Sequence, residues 1–94
     1  MHSIERRTAA AQRLLDVWTD DVATAQEFPG ARWTLDADAN LHGTVGTDSD
    51  AAIWADYLGI VLVPAPGGRL GGRRDYTPDG PFGPVVTVAL TVDR

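Results

Sequence analysis

The sequence predicts an α+β fold, a two-layer sandwich in which two helices pack on one face of an antiparallel or mixed sheet. Two segments place apolar residues at helical spacing, and several shorter segments alternate between apolar and polar residues as strands do. The strands follow one another across short turns, which favours this architecture over a doubly wound parallel sheet. The predicted order is helix, strand, strand, helix, strand, uncertain strand, strand.

The length and composition are those of one globular domain. A chain of 94 residues is short for two ordinary domains, so we treat residues 1–94 as a single unit. Apolar residues make up 44% of the chain and charged residues 22%, which argues against disorder. The absence of cysteine excludes a disulfide framework, a thiolate metal site and a cysteine nucleophile.

Residues 1–30 are predicted to form an amphipathic helix, from about Ile4 to Ala25, followed by its stop. Ser3 is placed to cap the first turn. Phe28-Pro29-Gly30 ends the helix, because proline disfavours helical geometry in the residue before it. The apolar stripe, which spans an arc of about 100°, comprises Ile4, Ala11, Leu14, Leu15, Trp18, Val22 and Ala25.

Residues 31–63 are predicted to contain a hairpin, a second helix and a strand. The hairpin pairs Arg32–Leu35 with Leu41–Val45 across Asp36–Asn40, whose side chains favour turns by bonding their own backbone. Gly43 is expected to leave room for a bulky neighbour such as a tryptophan. The positions expected to face the core are Trp33, Leu35, Leu41 and Val45. Those expected to face solvent are Thr34, His42 and Thr44.

The second helix is predicted over Asp48–Leu58. The run Thr47-Asp48-Ser49-Asp50 has the arrangement of a capping box, and its acids suit the positive end of a helix. Gly59 is expected to supply the left-handed stop, and a strand over Ile60–Val63, apolar on both sides, follows at once. The inner face of the helix comprises Ala51, Trp54, Tyr57 and Leu58, with Ile53 at its margin.

Residues 64–84 are predicted to be a loop region rich in Gly, Pro and Arg, with an uncertain short strand over Arg73–Thr77. The closing strand, Val85–Val92, alternates cleanly between apolar and polar residues. If this strand lies at a sheet edge, it has no internal charge or proline to prevent pairing with a second copy. We therefore expect a two-fold homodimer.

Trp18, Trp33 and Trp54 each fall on the apolar side of a different predicted element. Large aromatics dominate burial in small domains, so we expect the three rings to meet in the core rather than form a ligand-binding cluster. The core is expected to join Leu15, Trp18, Val22, Trp33, Leu35, Trp54, Leu58, Val86, Val88 and Leu90.

The turn of the hairpin matches a calcium motif only in part. Asp36, Asp38 and Asn40 occupy the first three ligand positions of an EF-hand loop. The required glycine is replaced by Leu41, and the required bidentate glutamate by Thr47. A hairpin turn explains the same residues, so neither a metal nor a cofactor is expected.

The candidate binding residues are Arg69, Arg73, Arg74 and Tyr76, in the Gly-rich stretch. Backbone amides there can surround a phosphate, arginines can bind it bidentately, and a tyrosine ring can stack on a base. The stretch lacks the Gly-Lys-Ser/Thr ending of a P-loop. The alternative function is therefore a nucleic-acid or nucleotide binder that acts through residues 69–76.

An enzyme is the less favoured class. His42 is the only histidine away from the N-terminus, and no nucleophile or second ligand is readable beside it. Asp48 and Asp50 are explained as residues of a helix start rather than as a catalytic acid and base. No catalytic residue is therefore assigned.

The charge distribution disfavours nucleic acid as the main partner. The net charge is −5, with +2 on residues 1–13, −8 on residues 14–68 and +1 on residues 69–94. Phosphate binding needs clustered basic residues, which the middle of the chain lacks. The sequence shows neither a signal peptide nor an apolar run of membrane-spanning length, so we expect a cytoplasmic protein without membrane contact.

Three short patterns, Trp33-x-Leu35, Leu41-x-Gly43 and Trp54-Ala55-x-x-Leu58-Gly59, precede the Val-rich closing strand. Across residues 31–92 they resemble small proteins of streptomycete-like actinobacteria and their phages. All eight basic residues are arginine, which is typical of GC-rich coding. The resemblance implies a fold and a source, but no activity or site. We expect a non-enzymatic protein-interaction or regulatory module, phage- or mobile-element-encoded, with an unidentified protein partner.

Overall fold

A computed structural model describes residues 3–23, 28–64 and 69–93 of the chain. The fold is α+β, and its order of elements matches the predicted one. No helix within the described ranges is long and apolar enough to cross a bilayer. The elements are α1 (Ile4–Ala23), β1 (Arg32–Leu35), β2 (Leu41–Val45), α2 (Asp48–Leu58), β3 (Val63–Pro64), β4 (Leu70–Tyr76) and β5 (Val86–Val92).

The five strands form one mixed sheet in the order β1-β2-β5-β4-β3. Strands β2 and β5 are parallel, and the three other pairs are antiparallel. Strands β2 and β5 can be parallel because α2, β3 and β4 lie between them in the chain. These elements return the chain to the end of the sheet at which β2 begins. The prediction of an antiparallel or mixed sheet is confirmed.

The position of β5 removes the argument for a dimer. This strand lies between β2 and β4 and is hydrogen-bonded on both sides, so it presents no free edge. Its uncharged apolar sequence is typical of a central strand covered by neighbours. The interpretation of Val85–Val92 as an edge is therefore wrong, and the two-fold dimer stays a prediction without that support.

One face of the sheet is packed against helices, and the other is not. On the helix face, which packs against α1 and α2, the β5 side chains of Val86, Val88, Leu90 and Val92 are at most 1% exposed. The opposite face, here called the open face, is not covered by any described element. Its residues, placed by the register, are Arg32, Thr34, His42, Thr44, Gly71, Arg73, Asp75, Thr87, Ala89 and Thr91.

The predicted caps of both helices are confirmed. Ser3 Oγ accepts the Arg6 amide at 3.2 Å at the start of α1. Thr47 Oγ1 accepts the Asp50 amide at 3.1 Å, so α2 begins and ends at the predicted residues. Gly59 adopts φ 73°, a left-handed conformation that side chains other than glycine rarely accept. The last two residues of the helix predicted over Ile4–Ala25 lie outside the described ranges.

The third and fourth strands differ from their predictions. The sequence predicts a strand over Ile60–Val63, apolar on both sides, but β3 comprises only Val63–Pro64, and Val61 is 78% exposed. The Ile60 amide still bonds the Ala55 carbonyl at 2.9 Å, as part of the C-terminal cap of α2. Because of this cap, the chain joins the sheet later than predicted. The uncertain strand predicted over Arg73–Thr77 is confirmed as β4, which begins at Leu70, three residues earlier than predicted and within the predicted loop region.

Three tryptophans meet between the helices and the sheet, as predicted. The Trp18 and Trp33 ring centroids lie 5.1 Å apart, and those of Trp33 and Trp54 lie 5.5 Å apart. The Trp33 ring lies directly over Gly43, where an added Cβ would come within 2.7 Å of it. The room that the sequence predicts at this glycine is therefore occupied by a tryptophan. The predicted core residues all belong to the observed core or pack against it.

Candidate interaction surfaces

Two of the four predicted binding residues serve the fold. Arg74 and Tyr76 lie on the helix face, where both donate hydrogen bonds to the Leu58 carbonyl at the end of α2; the Arg74 Nη1 bond measures 2.9 Å. The Arg74 guanidinium stands 4.9 Å from the centroid of the Tyr76 ring. Burial raises the pKa of Tyr76 above its ordinary value. These contacts satisfy a carbonyl that the helix leaves without an intrahelical partner.

The other two predicted binding residues lie apart from that pair. Arg73 is exposed on the open face, on the opposite side of β4 from its neighbours. Arg69 lies 3.8 Å from the Asp93 carboxylate, and both side chains are more than half exposed. The four residues therefore do not converge on one anion within the part of the chain that the structure describes. The connecting residues 65–68 lie outside it.

The Asp36 carboxylate organises the hairpin turn. Its Oδ1 accepts the Asp38 amide at 2.9 Å and the Asn40 amide at 3.0 Å. Its Oδ2 lies 2.9 Å from His42 Nε2 and accepts the Asn40 side-chain amide at 3.3 Å. These contacts, that of His42 first, lower the pKa of Asp36 from 3.8 to about 2. The turn predicted from the Asp and Asn residues is thus built around one saturated carboxylate.

No metal cluster accompanies this turn. Within the described ranges, no three His, Cys, Asp or Glu side chains are grouped so that they could hold a metal ion. Because its oxygens already accept bonds from the turn and from His42, Asp36 has little capacity left for a cation. His42 is engaged as a partner of this carboxylate.

The lowered pKa of Asp36 predicts an acid-sensitive turn. A carboxyl with a lowered folded pKa contributes stability above its unfolded pKa and loses that contribution as the pH falls through the folded value. The contribution should therefore be complete above about pH 4 and disappear toward about pH 2. Thermal melts of the wild type and Asp36→Asn should differ at pH 5 and converge near pH 2. A difference in Tm that is independent of pH would contradict this role.

The connection between β4 and β5 presents an exposed aromatic residue. Phe82 is 93% exposed, and Val85, three residues on, is 52% exposed. We call residues 78–85 the Phe82 loop. Two successive turns shape it, closed by bonds from the Gly80 amide to the Thr77 carbonyl at 3.1 Å and from the Gly83 amide to the Gly80 carbonyl at 3.0 Å. The loop therefore projects a phenylalanine into solvent from an ordered backbone.

Both ends of the Phe82 loop are anchored. Asp79 forms an ion pair with Arg13 of α1, and Gly83 packs against Asp79. Pro84, at the far end, has a fully buried side chain. A loop is predicted here, within residues 64–84, but Phe82 is not among the predicted site residues, although its signal is present: a lone phenylalanine among three prolines and two glycines. The prolines fix the backbone of this segment, and the turn residues beside the ring give it no neighbour to pack against.

An apolar cavity of about 220 Å³ lies between α1 and the first strand. Trp54 closes one side, and its indole Nε1 donates to the Pro29 carbonyl at 2.8 Å. The cavity differs from the core proper because Trp33 and Leu15 beside it are only half-buried. The remaining lining residues are Trp18, Thr19, Val22, Phe28, Pro29, Gly30 and Ala31.

No protein-family model matches the chain. No curated protein and no solved structure matches it at a significant level either.

Proposed function

We propose that the protein is a non-enzymatic interaction module that binds a partner protein through the Phe82 loop. The observation that carries this proposal is the 93% exposure of Phe82 on a loop whose backbone is fixed at both ends. Aromatic residues are enriched in the buried centres of protein interfaces, where one ring can contribute much of the binding energy. A solvent-exposed phenylalanine gains nothing in the isolated chain.

The rigidity of the loop favours binding. Ordering a flexible loop at an interface costs free energy that a preorganised loop has already lost on folding. The prolines at positions 78, 81 and 84 fix their own φ angles, and the ion pair between Arg13 and Asp79 ties the loop to α1. A partner with an apolar pocket would then bury Phe82 and Val85 without reordering the chain.

The alternative, a nucleic-acid or nucleotide binder acting through residues 69–76, has less support. Arg74 and Tyr76 are engaged with Leu58, which leaves Arg69 and Arg73 as candidates for phosphate. Two arginines release few counterions, so the affinity for generic DNA would be low and would fall weakly with salt. An enzyme is also less favoured, because His42, the one histidine among the described residues, is an exposed partner of the carboxylate that organises the hairpin turn.

Site-specific crosslinking tests the proposal. A photo-crosslinking phenylalanine analogue at position 82 should capture a discrete partner in a lysate of the encoding organism. The same analogue at Ile53, a 43% exposed position on α2, serves as the matched control. Excess unlabelled wild type should compete for the capture, and unlabelled Phe82→Ser should not. Identical adducts at both positions, or equal competition by both proteins, would contradict the proposed contact.

Phe82 should matter for binding and not for folding. Because the ring is exposed, Phe82→Ser should change the free energy of unfolding by no more than about 0.5 kcal/mol. Chemical denaturation followed by tryptophan fluorescence measures this change. A loss of several kcal/mol would show that Phe82 packs within its own chain, and the loop would then lose its assignment as a contact surface.

A further inference from the structure

A crevice of about 180 Å³ opens at the end of the sheet where β2 and β5 finish. These strands are parallel, so their carboxyl ends lie side by side there. After Val45 the chain turns into α2, whereas Asp93 continues along β2, and its amide donates to the Val45 carbonyl at 2.8 Å. The two segments diverge beyond this bond and leave the crevice between them. Its lining residues are Arg32, Thr44, Val45, Gly46 and Asp93.

Gly46 keeps the crevice open. An added Cβ at this glycine would meet no atom within 4 Å, so a side chain here would extend into unfilled space. Arg32 and Thr44, which are register partners on the open face, lie on one side of the crevice, and Asp93 lies on the other. In open α/β sheets, crevices outside the carboxyl ends of parallel strands are the usual ligand sites. The crevice at Gly46 has the same position relative to the parallel pair of β2 and β5.

Two opposite charges line the crevice. The Arg32 guanidinium forms no ion pair with any described residue, Asp93 included, so the charged atoms of these two residues are more than 4.0 Å apart. The Asp93 carboxylate lies 3.8 Å from Arg69 Nη1, which is too long for a hydrogen bond, and the Asp93 side chain is 66% exposed. Both charged groups therefore retain the capacity to hydrogen-bond a ligand.

The strand spacing limits the size of a ligand that contacts both charges. Neighbouring strands lie about 4.8 Å apart, so Arg32 on β1 and Asp93 beyond β5 are separated by about 10 Å across the sheet. An extended arginine side chain can cover much of this distance, which leaves a short gap between the charged groups. Pockets for drug-sized ligands usually enclose about 300 to 1,000 Å³, more than this crevice offers. A ligand that fits here is therefore small.

We propose that the crevice binds a free α-amino acid as its zwitterion. The Arg32 guanidinium donates two hydrogen bonds to the α-carboxylate, in the planar pairing that suits arginine. The Asp93 carboxylate accepts hydrogen bonds from the α-ammonium group. Because the two charged ends of the ligand fill the small crevice, its side chain projects into solvent, and small amino acids bind with similar affinity.

The pair of opposite charges selects a zwitterion over a simple ion. An anion bound to Arg32 would also meet Asp93, and a cation bound to Asp93 would also meet Arg32, so each gains one attraction and suffers one repulsion. A zwitterion satisfies both groups at once. The Phe82 loop precedes β5 and lies at the opposite end of the sheet from the crevice. The two surfaces are therefore separate, and neither proposal depends on the other.

NMR titration with glycine and with L-alanine tests the site. Both should shift the Thr44, Gly46 and Asp93 amides saturably, with dissociation constants in the millimolar range because the charged groups are exposed. N-acetyl-L-alanine and L-alaninamide are matched controls, since each keeps the methyl side chain and only one of the two charges. They should bind about fivefold more weakly, the effect of losing one exposed ion pair. Absence of saturable shifts with both amino acids, or equal binding of a singly charged control, would overturn the proposal.

Variants of the protein test which residues hold the ligand. Arg32→Gln and Asp93→Asn should each weaken the binding of L-alanine by about fivefold. Arg73→Gln is the matched control, because Arg73 is an exposed arginine of the open face that does not line the crevice, and it should leave the affinity unchanged. Gly46→Val should fill the crevice and abolish saturable binding without lowering the Tm. Equal weakening by Arg32→Gln and Arg73→Gln, or undiminished binding by Gly46→Val, would contradict the site.

Discussion

Replacing Trp54 with alanine should lower the free energy of unfolding by about 3 to 5 kcal/mol, the usual loss for emptying a buried aromatic site. Trp54 is 3% exposed and lies at the centre of the aromatic cluster. Its ring centroid is 4.7 Å from that of Phe28, 5.5 Å from that of Trp33 and 6.0 Å from that of Tyr57. The substitution also leaves the Pro29 carbonyl without its donor, which adds to the loss.

Urea denaturation followed by circular dichroism measures this loss without depending on the fluorescence of the replaced residue. Ile53→Ala is the matched control, because Ile53 precedes Trp54 on α2 and is 43% exposed. The control should lose less than about 1 kcal/mol, since little apolar surface returns to water. A loss below about 1 kcal/mol for Trp54→Ala as well would show that the aromatic cluster does not hold the two layers together.

Gly43→Ala should destabilise the protein by about 1 to 3 kcal/mol, the range for overpacking a filled core. A Cβ at this position would lie 2.7 Å from two ring atoms of Trp33, inside van der Waals contact. The Trp33 ring also packs against Trp18 and Trp54, so it has little freedom to retreat. Any displacement of the Trp33 ring would therefore also disturb its packing against Trp18 and Trp54.

Two comparisons isolate that steric cause. Gly46→Ala, in the same part of the chain but with no atom within 4 Å of the added Cβ, should be neutral or slightly stabilising. Combined with Trp33→Leu, Gly43→Ala should cost much less than it does alone, because the smaller side chain makes room. Additive losses in this double-mutant cycle would show that Gly43 is needed for another reason.

The local elements could be predicted because their signals are local. The bounds of α2 follow from Thr47 and Gly59, which act on the backbone groups next to them. The hairpin is predicted by the Asx turn of Asp36. In β5, the alternation of residue types indicates which face of the strand is buried. The sequence also predicts the meeting of the tryptophans, since each falls on the apolar side of its own element.

The order of strands could not be predicted, because it depends on pairing between distant segments. The uncharged sequence of Val86–Val92 fits a central strand, but it also fits an unprotected edge strand that a second copy would cover. The full length of β4 was not predicted, because Gly71 and Gly72 locally indicate a loop. Within the sheet, Gly72 instead leaves room for a close neighbour. An added Cβ at Gly72 would come within 2.6 Å of the Ile60 side chain.

The central position of β5 also constrains the order of events during folding. The β1–β2 hairpin and the β3–β4 hairpin form from neighbouring residues, but only β5 bonds to both. It is the last of the seven described elements in chain order, so these strands stay in two halves until the ribosome has released that segment. Pairing Leu41 with Val88 closes a loop of nearly fifty residues, which slows folding relative to a sheet built from local contacts. A nascent chain halted before Val86 would hold two hairpins and two helices with no common strand to join them.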